Sequence, residues 1–282
     1  MFTHKLIRKD STMLHERIYL DNSDELAYID TYVSDLPHGG PRDAMIVFPG
    51  GGYVNVCADR EGEAIAEAYL ARGFNAFVVR YRVGSGERYP TQLLDAARAV
   101  LHVRANAEKY NINPDRVFAV GFSAGGHLTG SLGLLCSDPL VLSELGVTIE
   151  AIRPNGIVLC YPVVTAQEIT HQGSFINLLG KPYDELTDSE RYKFSLENNV
   201  DENSPPAFIW HTAQDQGVPP VGSLRLCEAY INSKVPVSLH VYPYGPHGIG
   251  MANRFTNTGE AGVQPLAQRW LDDSVDFLRS LK

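Results

Sequence analysis

Residues 117–127 read Val117-Phe118-Ala119-Val120-Gly121-Phe122-Ser123-Ala124-Gly125-Gly126-His127. The opening apolar run, closed by glycine, predicts a short buried strand. The pattern G-x-S-x-G follows over Gly121, Ser123 and Gly125, and a helical periodicity begins behind it. A serine at so abrupt a strand-to-helix junction sits in a strained backbone conformation, and a side chain two residues to either side would obstruct the turn. Glycine at both places relieves the crowding and leaves the hydroxyl exposed at a helix N-terminus. There the N–H of Ala124 is free and the helix dipole favours a developing negative charge. Three fixed positions also recur by chance, so the pattern needs the rest of the chain. A reactive serine requires amide donors upstream, then an acid and a histidine downstream.

The whole chain bounds the answer. At 282 residues it is read as one large α/β domain, 1–282, with enough length to bury a substantial core. The net charge is −9. Nucleic acid or an anionic membrane surface needs a basic face, so neither is expected as a partner. The four cysteines, Cys57, Cys136, Cys160 and Cys227, are far apart and form no C-x-x-C or zinc spacing. They are expected to be buried reduced thiols, and no metal site is expected. The first ten residues lack the apolar core of a signal peptide and no run reaches the length of a membrane span. A cytoplasmic location is the expectation that follows.

Residues of about 15–36 read as antiparallel strands. Arg17-Ile18-Tyr19-Leu20 and Ala27 to Val33 alternate, with the turn-rich Asp21-Asn22-Ser23-Asp24 between them. From about residue 42, apolar strands alternate with helical stretches, which predicts a mostly parallel central sheet flanked by helices. Strands are expected at Ala44–Phe48, Ala76–Val79, Val117–Val120, Gly156–Tyr161, Ala207–His211 and Val237–Tyr242. Helices are expected around 61–72, 90–110, 221–233 and from about Pro265. After Tyr161 the alternation pauses, and residues of about 162–206 are read as a lid or cap. Its aromatic side chains would suit packing against a second copy, which leaves a homo-oligomer open.

The partners that the serine requires are present in order. Pro49-Gly50-Gly51-Gly52-Tyr53 follows the strand ending at Phe48. Successive glycines let a backbone approach a ligand closely and turn its N–H groups toward it. No lysine stands in P-loop spacing and no G-x-G-x-x-G occurs, so a nucleotide cofactor is not expected, and no other cofactor is required. Asp215 is the only acid in the stretch His211 to Pro219, which leaves the strand Ala207–His211. His247 lies in the Pro- and Gly-rich stretch Pro243 to Gly250, after the last strand, where an imidazole can reach a serine. His240 competes with it but falls inside a strand. His127 and His211 flank the motifs and are read as supporting or packing residues. Asp201 and Glu202 fall in the lid stretch.

Together, P-G-G-G-Y, G-F-S-A-G-G-H-L, H-T-A-x-D and G-P-H-G resemble the α/β-hydrolase serine esterases. Within them, the chain is similar to the acetyl-xylan and feruloyl esterase-like carbohydrate esterases (BD-FAE and Aes types). The likeness runs over roughly residues 40–282 and includes the D-R-E-G-E run from Asp59 to Glu63. Lipase relatives carry a histidine where Pro49 stands, which favours the sugar-esterase branch. The resemblance implies the α/β-hydrolase fold and a catalytic triad of Ser123, Asp215 and His247. Gly51, Gly52 and Ala124 would be the oxyanion donors. The implied substrate is a short-chain ester, acetyl above all, on a carbohydrate such as an acetylated xylo-oligosaccharide. Tyr53 and Tyr161 are candidate substrate contacts. A general carboxylesterase, an arylformamidase, a peptidase of this fold and a non-catalytic binding protein are the alternatives.

Overall fold

Strand residues alternate between two buried faces, and that alternation decides the architecture. The computed structural model of the chain describes residues 13–21, 25–34, 40–84, 86–167 and 169–281. Its strands are β1 (Met13–Leu14), β2 (Arg17–Tyr19), β3 (Tyr28–Ser34), β4 (Arg42–Phe48), β5 (Asn75–Arg80), β6 (Ile112–Phe122), β7 (Ile157–Cys160), β8 (Ala207–Thr212) and β9 (Val237–Tyr242). Its helices are α1 (Ala58–Glu61), α2 (Glu63–Leu70), α3 (Thr91–Ala105), α4 (Ala124–Leu134), α5 (Pro139–Leu145), α6 (Ile149–Ile152), α7 (Gln172–Leu179), α8 (Asp188–Phe194), α9 (Val221–Asn232) and α10 (Trp270–Ser280).

The strands of the described residues form one sheet in the order β1-β3-β5-β4-β6-β7-β8-β9, with β2 also beside β3. The expected hairpin is present, since β2 lies antiparallel to β3 with Ile18 opposite Ile29. The predicted turn residues Asn22, Ser23 and Asp24, and residues 35–36 of the N-terminal strand region, lie outside the described residues. β3 runs antiparallel to β5, and every later pairing is parallel.

Ile46, Phe48, Ala119, Leu159 and Ile209 point to one face and pack with Leu93, Val100, Leu128, Leu132 and Leu226 of α3, α4 and α9. Met45, Val47, Phe118, Val120, Val158, Phe208 and Trp210 point to the other, against Ile65 and Tyr69 of α2 and Trp270, Val275 and Leu278 of α10. With both faces covered, the central strands need apolar residues at successive positions, which is how they read in the sequence. Each fully buried aliphatic or aromatic side chain contributes about 1.5–3 kcal/mol.

Three expectations are adjusted. The helix predicted over 61–72 is broken at Gly62, where a Cβ would lie 2.6 Å from the Ala58 carbonyl oxygen, so α1 and α2 pack more closely than a side chain there would allow. The final helix begins at Trp270 rather than near 265, because residues 267–269 form a tighter 3-10 turn. Residues 162–206 hold α7 and α8, and Phe175, Tyr183 and Phe194 face the core on the α4 side rather than a neighbour. Tyr192 is the exposed aromatic of that stretch.

From β4 the chain passes to β5 on one side and returns to β6 on the other. The loops leaving β4 and β6 therefore diverge above adjacent carboxyl ends, a crevice in which open parallel sheets bind ligands. The Pro49–Tyr53 loop and Ser123 both emerge there.

Trp270 is fully buried, stacks on Trp210 with ring centroids 5.5 Å apart, and donates its Nε1–H to the Gly250 carbonyl at 3.2 Å. Trp270→Ala is expected to lower the unfolding free energy by about 3–5 kcal/mol, measured by urea titration. A loss below about 1 kcal/mol would contradict this packing.

Candidate active site

β6 delivers Ser123 in the conformation the glycine spacing requires, with φ at 53° and ψ at −119°. A Cβ on Gly121 would lie 2.2 Å from the Gly125 carbonyl oxygen, and one on Gly125 would lie 2.2 Å from the Phe48 carbonyl oxygen. Backbone strain of this kind costs about 1–3 kcal/mol and persists only where neighbours impose it. Here the Ser123 N–H donates to the Cys160 carbonyl at 3.0 Å, and its own carbonyl accepts from the N–H groups of His127 and Val163.

The loop after β9 brings His247 to the serine. Its Nε2 lies 2.7 Å from Ser123 Oγ, and its Nδ1 lies 2.6 Å from Asp215 Oδ2. A carboxylate only accepts, so Nδ1 carries the hydrogen and Nε2 is left as the acceptor for the serine hydroxyl. Asp215 is reached from the loop after β8, and its carboxyl group is fully buried. Oδ1 accepts from the N–H groups of Gly217 and Val218, each at 2.9 Å, and Oδ2 also faces His211 Nε2 at 3.1 Å. Burial alone would raise its pKa. The hydrogen bonds from His211 and His247 outweigh that and hold it well below the usual carboxylate range. His211 is itself buried, with Nδ1 2.9 Å from Ser223 Oγ, so it supports the acid from behind. His240, the competing histidine, lies on β9 beside Ser238 and Phe208. Asp201 closes a turn with Ser204.

Gly51 (φ 131°) and Gly52 (φ 64°) have conformations that suit glycine, and a Cβ on Gly51 would lie 2.2 Å from the Asn55 carbonyl oxygen. Among the described residues the N–H groups of Gly51, Gly52 and Ala124 have no hydrogen-bond acceptor, whereas that of Gly50 donates to Glu61. Gly51, Gly52, Ser123 and His247 line one cleft of about 380 Å³.

Tyr53 and Tyr161 do not line that cleft, so the structure corrects their candidacy as substrate contacts. Both sit at positive φ on turns that lead their rings into the core, where they are 2% and 1% exposed. A buried tyrosine needs a partner for its hydroxyl. Tyr53 finds His127 Nδ1 at 2.9 Å, and Tyr161 finds Glu61 Oε1 at 2.7 Å. Other residues take the cleft wall instead, among them Asn55, Arg60, His171 and Asn177. Arg60 lies in the D-R-E-G-E run, a signal present in the sequence, whereas nothing around His171 marks it. Asn177 Nδ2 donates to the Gly52 carbonyl at 2.8 Å, joining α7 to the glycine loop. His171 Nδ1 accepts from Ser174, which leaves Nε2 as the ring's donor. Burial, with a smaller contribution from the neighbouring His247, lowers the His171 pKa. The four cysteines are free as expected, but Cys57 and Cys227 are only half-buried, and Cys57 borders the cleft. Among the described residues, no group of three His, Cys, Asp or Glu side chains could hold a metal ion.

Residues 29–230 match the BD-FAE family model. The chain belongs to the BD-FAE family. Its architecture is that of the α/β-hydrolases. Among curated relatives, it is 40% identical over 224 residues to endo-1,4-beta-xylanase B of Butyrivibrio fibrisolvens, with 78% of this chain and 34% of that protein covered. It is 34% identical over 230 residues to the acetylxylan esterase of Xylanibacter ruminicola, with 78% of this chain and 44% of that protein covered. The chain thus spans between a third and a half of the length of these relatives. A solved structure of an acetyl ester-xyloside bifunctional hydrolase from Caldicellulosiruptor lactoaceticus superimposes with a TM-score of 0.75 at 32% identity, covering 93% of this chain and 96% of that one.

The support behind the site is pH-sensitive. His127 is buried, and its Nε2–H donates to the Phe194 carbonyl at 3.0 Å while Nδ1 meets Tyr53. Desolvation lowers its pKa from 6.5 to about 4. As pH falls, the unfolded chain takes up this proton first. The contribution is therefore intact above about pH 6.5 and is lost progressively down to about pH 4. Between pH 7 and 5 the unfolding free energy is expected to fall by about 2 kcal/mol through this group. His127→Leu should show a smaller fall in urea titrations at the two pH values. Equal falls would contradict the assignment.

Proposed function

We propose that this chain is a serine carboxylesterase that removes short acyl groups, acetyl above all, from carbohydrate alcohols. The observation that carries the reading is the run of short contacts from Asp215 through His247 to Ser123. In the proposed reaction His247 Nε2 takes the hydroxyl proton as Ser123 Oγ bonds to the ester carbonyl carbon. The carbonyl oxygen becomes an oxyanion facing the N–H groups of Gly51, Gly52 and Ala124. Losing one donor of this kind costs about 2.7–4 kcal/mol in the transition state. The carbon–oxygen bond to the alcohol then breaks, and His247 returns its proton to the leaving alkoxide. A water molecule, deprotonated by the same imidazole, attacks the acyl carbon; the bond from that carbon to Ser123 Oγ then breaks, His247 returns the proton to Oγ, and the acid leaves. Asp215 stays ionised throughout and stabilises the imidazolium. Side chains, backbone amides and water carry each step.

Two observations support a carbohydrate alcohol. The relatives named above act, by their names, on xylan or on acetyl and xyloside bonds. The cleft wall also offers Asn55, Arg60 and His171, side chains suited to sugar hydroxyls. Among the described residues no helix is long and apolar enough to cross a membrane.

The test is a side-by-side kcat/KM for acetylated xylo-oligosaccharides and for p-nitrophenyl esters from acetate to octanoate, with Ser123→Ala as control. The expected result is acetate release from the sugars, preference for the acetyl ester, and a loss of at least about 10³-fold in Ser123→Ala. Efficient cleavage of the long chains without sugar activity would contradict the substrate and indicate a general carboxylesterase. A Ser123→Ala protein as active as wild type would contradict the mechanism.

A further inference from the structure

Glu61 is a carboxylate that the ester chemistry leaves unused, yet it lies against the site. It is 2% exposed at the end of α1. Oε2 accepts the Gly50 N–H at 2.9 Å, and Oε1 accepts the Tyr161 hydroxyl at 2.7 Å. That hydroxyl in turn accepts the Gly250 N–H at 2.8 Å. A Cβ on Gly50 would lie 2.8 Å from Glu61 Oε2 and 3.0 Å from Ser123 Cβ, so carboxylate and nucleophile flank the same peptide. The Tyr161 ring also meets the His247 ring edge to face, with centroids 5.1 Å apart.

One side chain thus joins the loops that follow β4, β7 and β9. The first carries the glycine N–H groups and the last carries His247. Both groups facing Glu61 donate to it, so an ionised carboxylate satisfies them together, whereas an amide would set its own N–H against one of them. Burying such a charge is unfavourable unless its hydrogen bonds are made, and here both oxygens are used.

We propose that Glu61 is a positioning residue for the reaction described above. It fixes the Gly50 peptide so that the N–H groups of Gly51 and Gly52 face the oxyanion. Through Tyr161 and Gly250 it also fixes the loop that aims His247 at Ser123. The proposal rests on the esterase reading. It gives Tyr161 a place in the same path, as a relay between carboxylate and histidine loop rather than as a substrate contact.

The test compares wild type, Glu61→Gln, Tyr161→Phe and the double variant in steady-state hydrolysis of p-nitrophenyl acetate, with circular dichroism to establish folding. Misplacing reacting groups by about 1 Å costs roughly 10²-fold, so Glu61→Gln is expected to lower kcat by about 10- to 100-fold. KM should stay within about threefold, because glutamine keeps the size and shape of the side chain that borders the cleft at Glu61. Tyr161→Phe should lower kcat in the same way, and the double variant should be no worse than Glu61→Gln alone, since both act on one path. A folded Glu61→Gln protein with wild-type kcat, a change confined to KM, or losses that multiply in the double variant would each overturn the proposal. If Glu61→Gln fails to fold, Tyr161→Phe decides the matter, and wild-type kcat in that variant overturns it. Ser123→Ala, run in parallel, keeps the two readings apart. Activity there refutes the serine mechanism, whereas wild-type turnover in Glu61→Gln refutes the positioning role alone.

Discussion

The close approach of backbone at the ends of β4 and β6 is the constraint on which the rest of the site depends. Gly125 lies against the carbonyl oxygens of Phe48 and Pro49, and Gly121 lies against the carbonyl of Gly125. No side chain fits at either place. That proximity forces the turn at Ser123 to positive φ and starts α4 directly behind it. The same proximity sets the glycine loop after β4 beside the serine. The parallel pairing of β4 with β6, from Ala44 opposite Val117 to Phe48 opposite Gly121, holds the two loops level. The apolar faces of the sheet keep that pairing buried and supply the energy that offsets the strain at one residue.

A second layer, of hydrogen bonds, orients the groups that the sheet brings together. Asp215 is buried and has its acceptor capacity met by His211, His247 and the amides of Gly217 and Val218. That arrangement fixes the tautomer of His247 and so decides which nitrogen faces Ser123. Glu61 has the same character, with donors on both oxygens. Two buried carboxylates therefore frame the histidine loop. One binds the imidazole itself and the other holds the backbone that presents it.

Much of this was legible in the sequence. Apolar runs located the central strands because both faces of a parallel sheet are buried, although β6 begins at Ile112, five residues before the apolar run at Val117. The G-x-S-x-G spacing identified the strained turn because the steric demand falls on fixed positions. The order of Ser123, Asp215 and His247 along the chain pointed to residues that the fold then brought within hydrogen-bond distance. What was not legible depends on where side chains point from irregular backbone. Tyr53 and Tyr161 stand next to the glycine loop and at a strand end, positions that suggest ligand contact, yet positive φ turns both inward. His171 and Asn177 reach the cleft only because α7 packs on it, a long-range contact that no local pattern encodes. Glu61 lay within a conspicuous run of charges, but its burial could not be read from a helix of so few residues.

The central claim is that Ser123 is a nucleophile made reactive by His247. Treating the native protein with a fluorophosphonate and mapping the adduct by peptide mass spectrometry tests it most directly. The account predicts a single covalent adduct on Ser123, formed rapidly at neutral pH and suppressed in His247→Ala. Absence of an adduct, an adduct on another residue, or labelling that proceeds unchanged without His247 would contradict it.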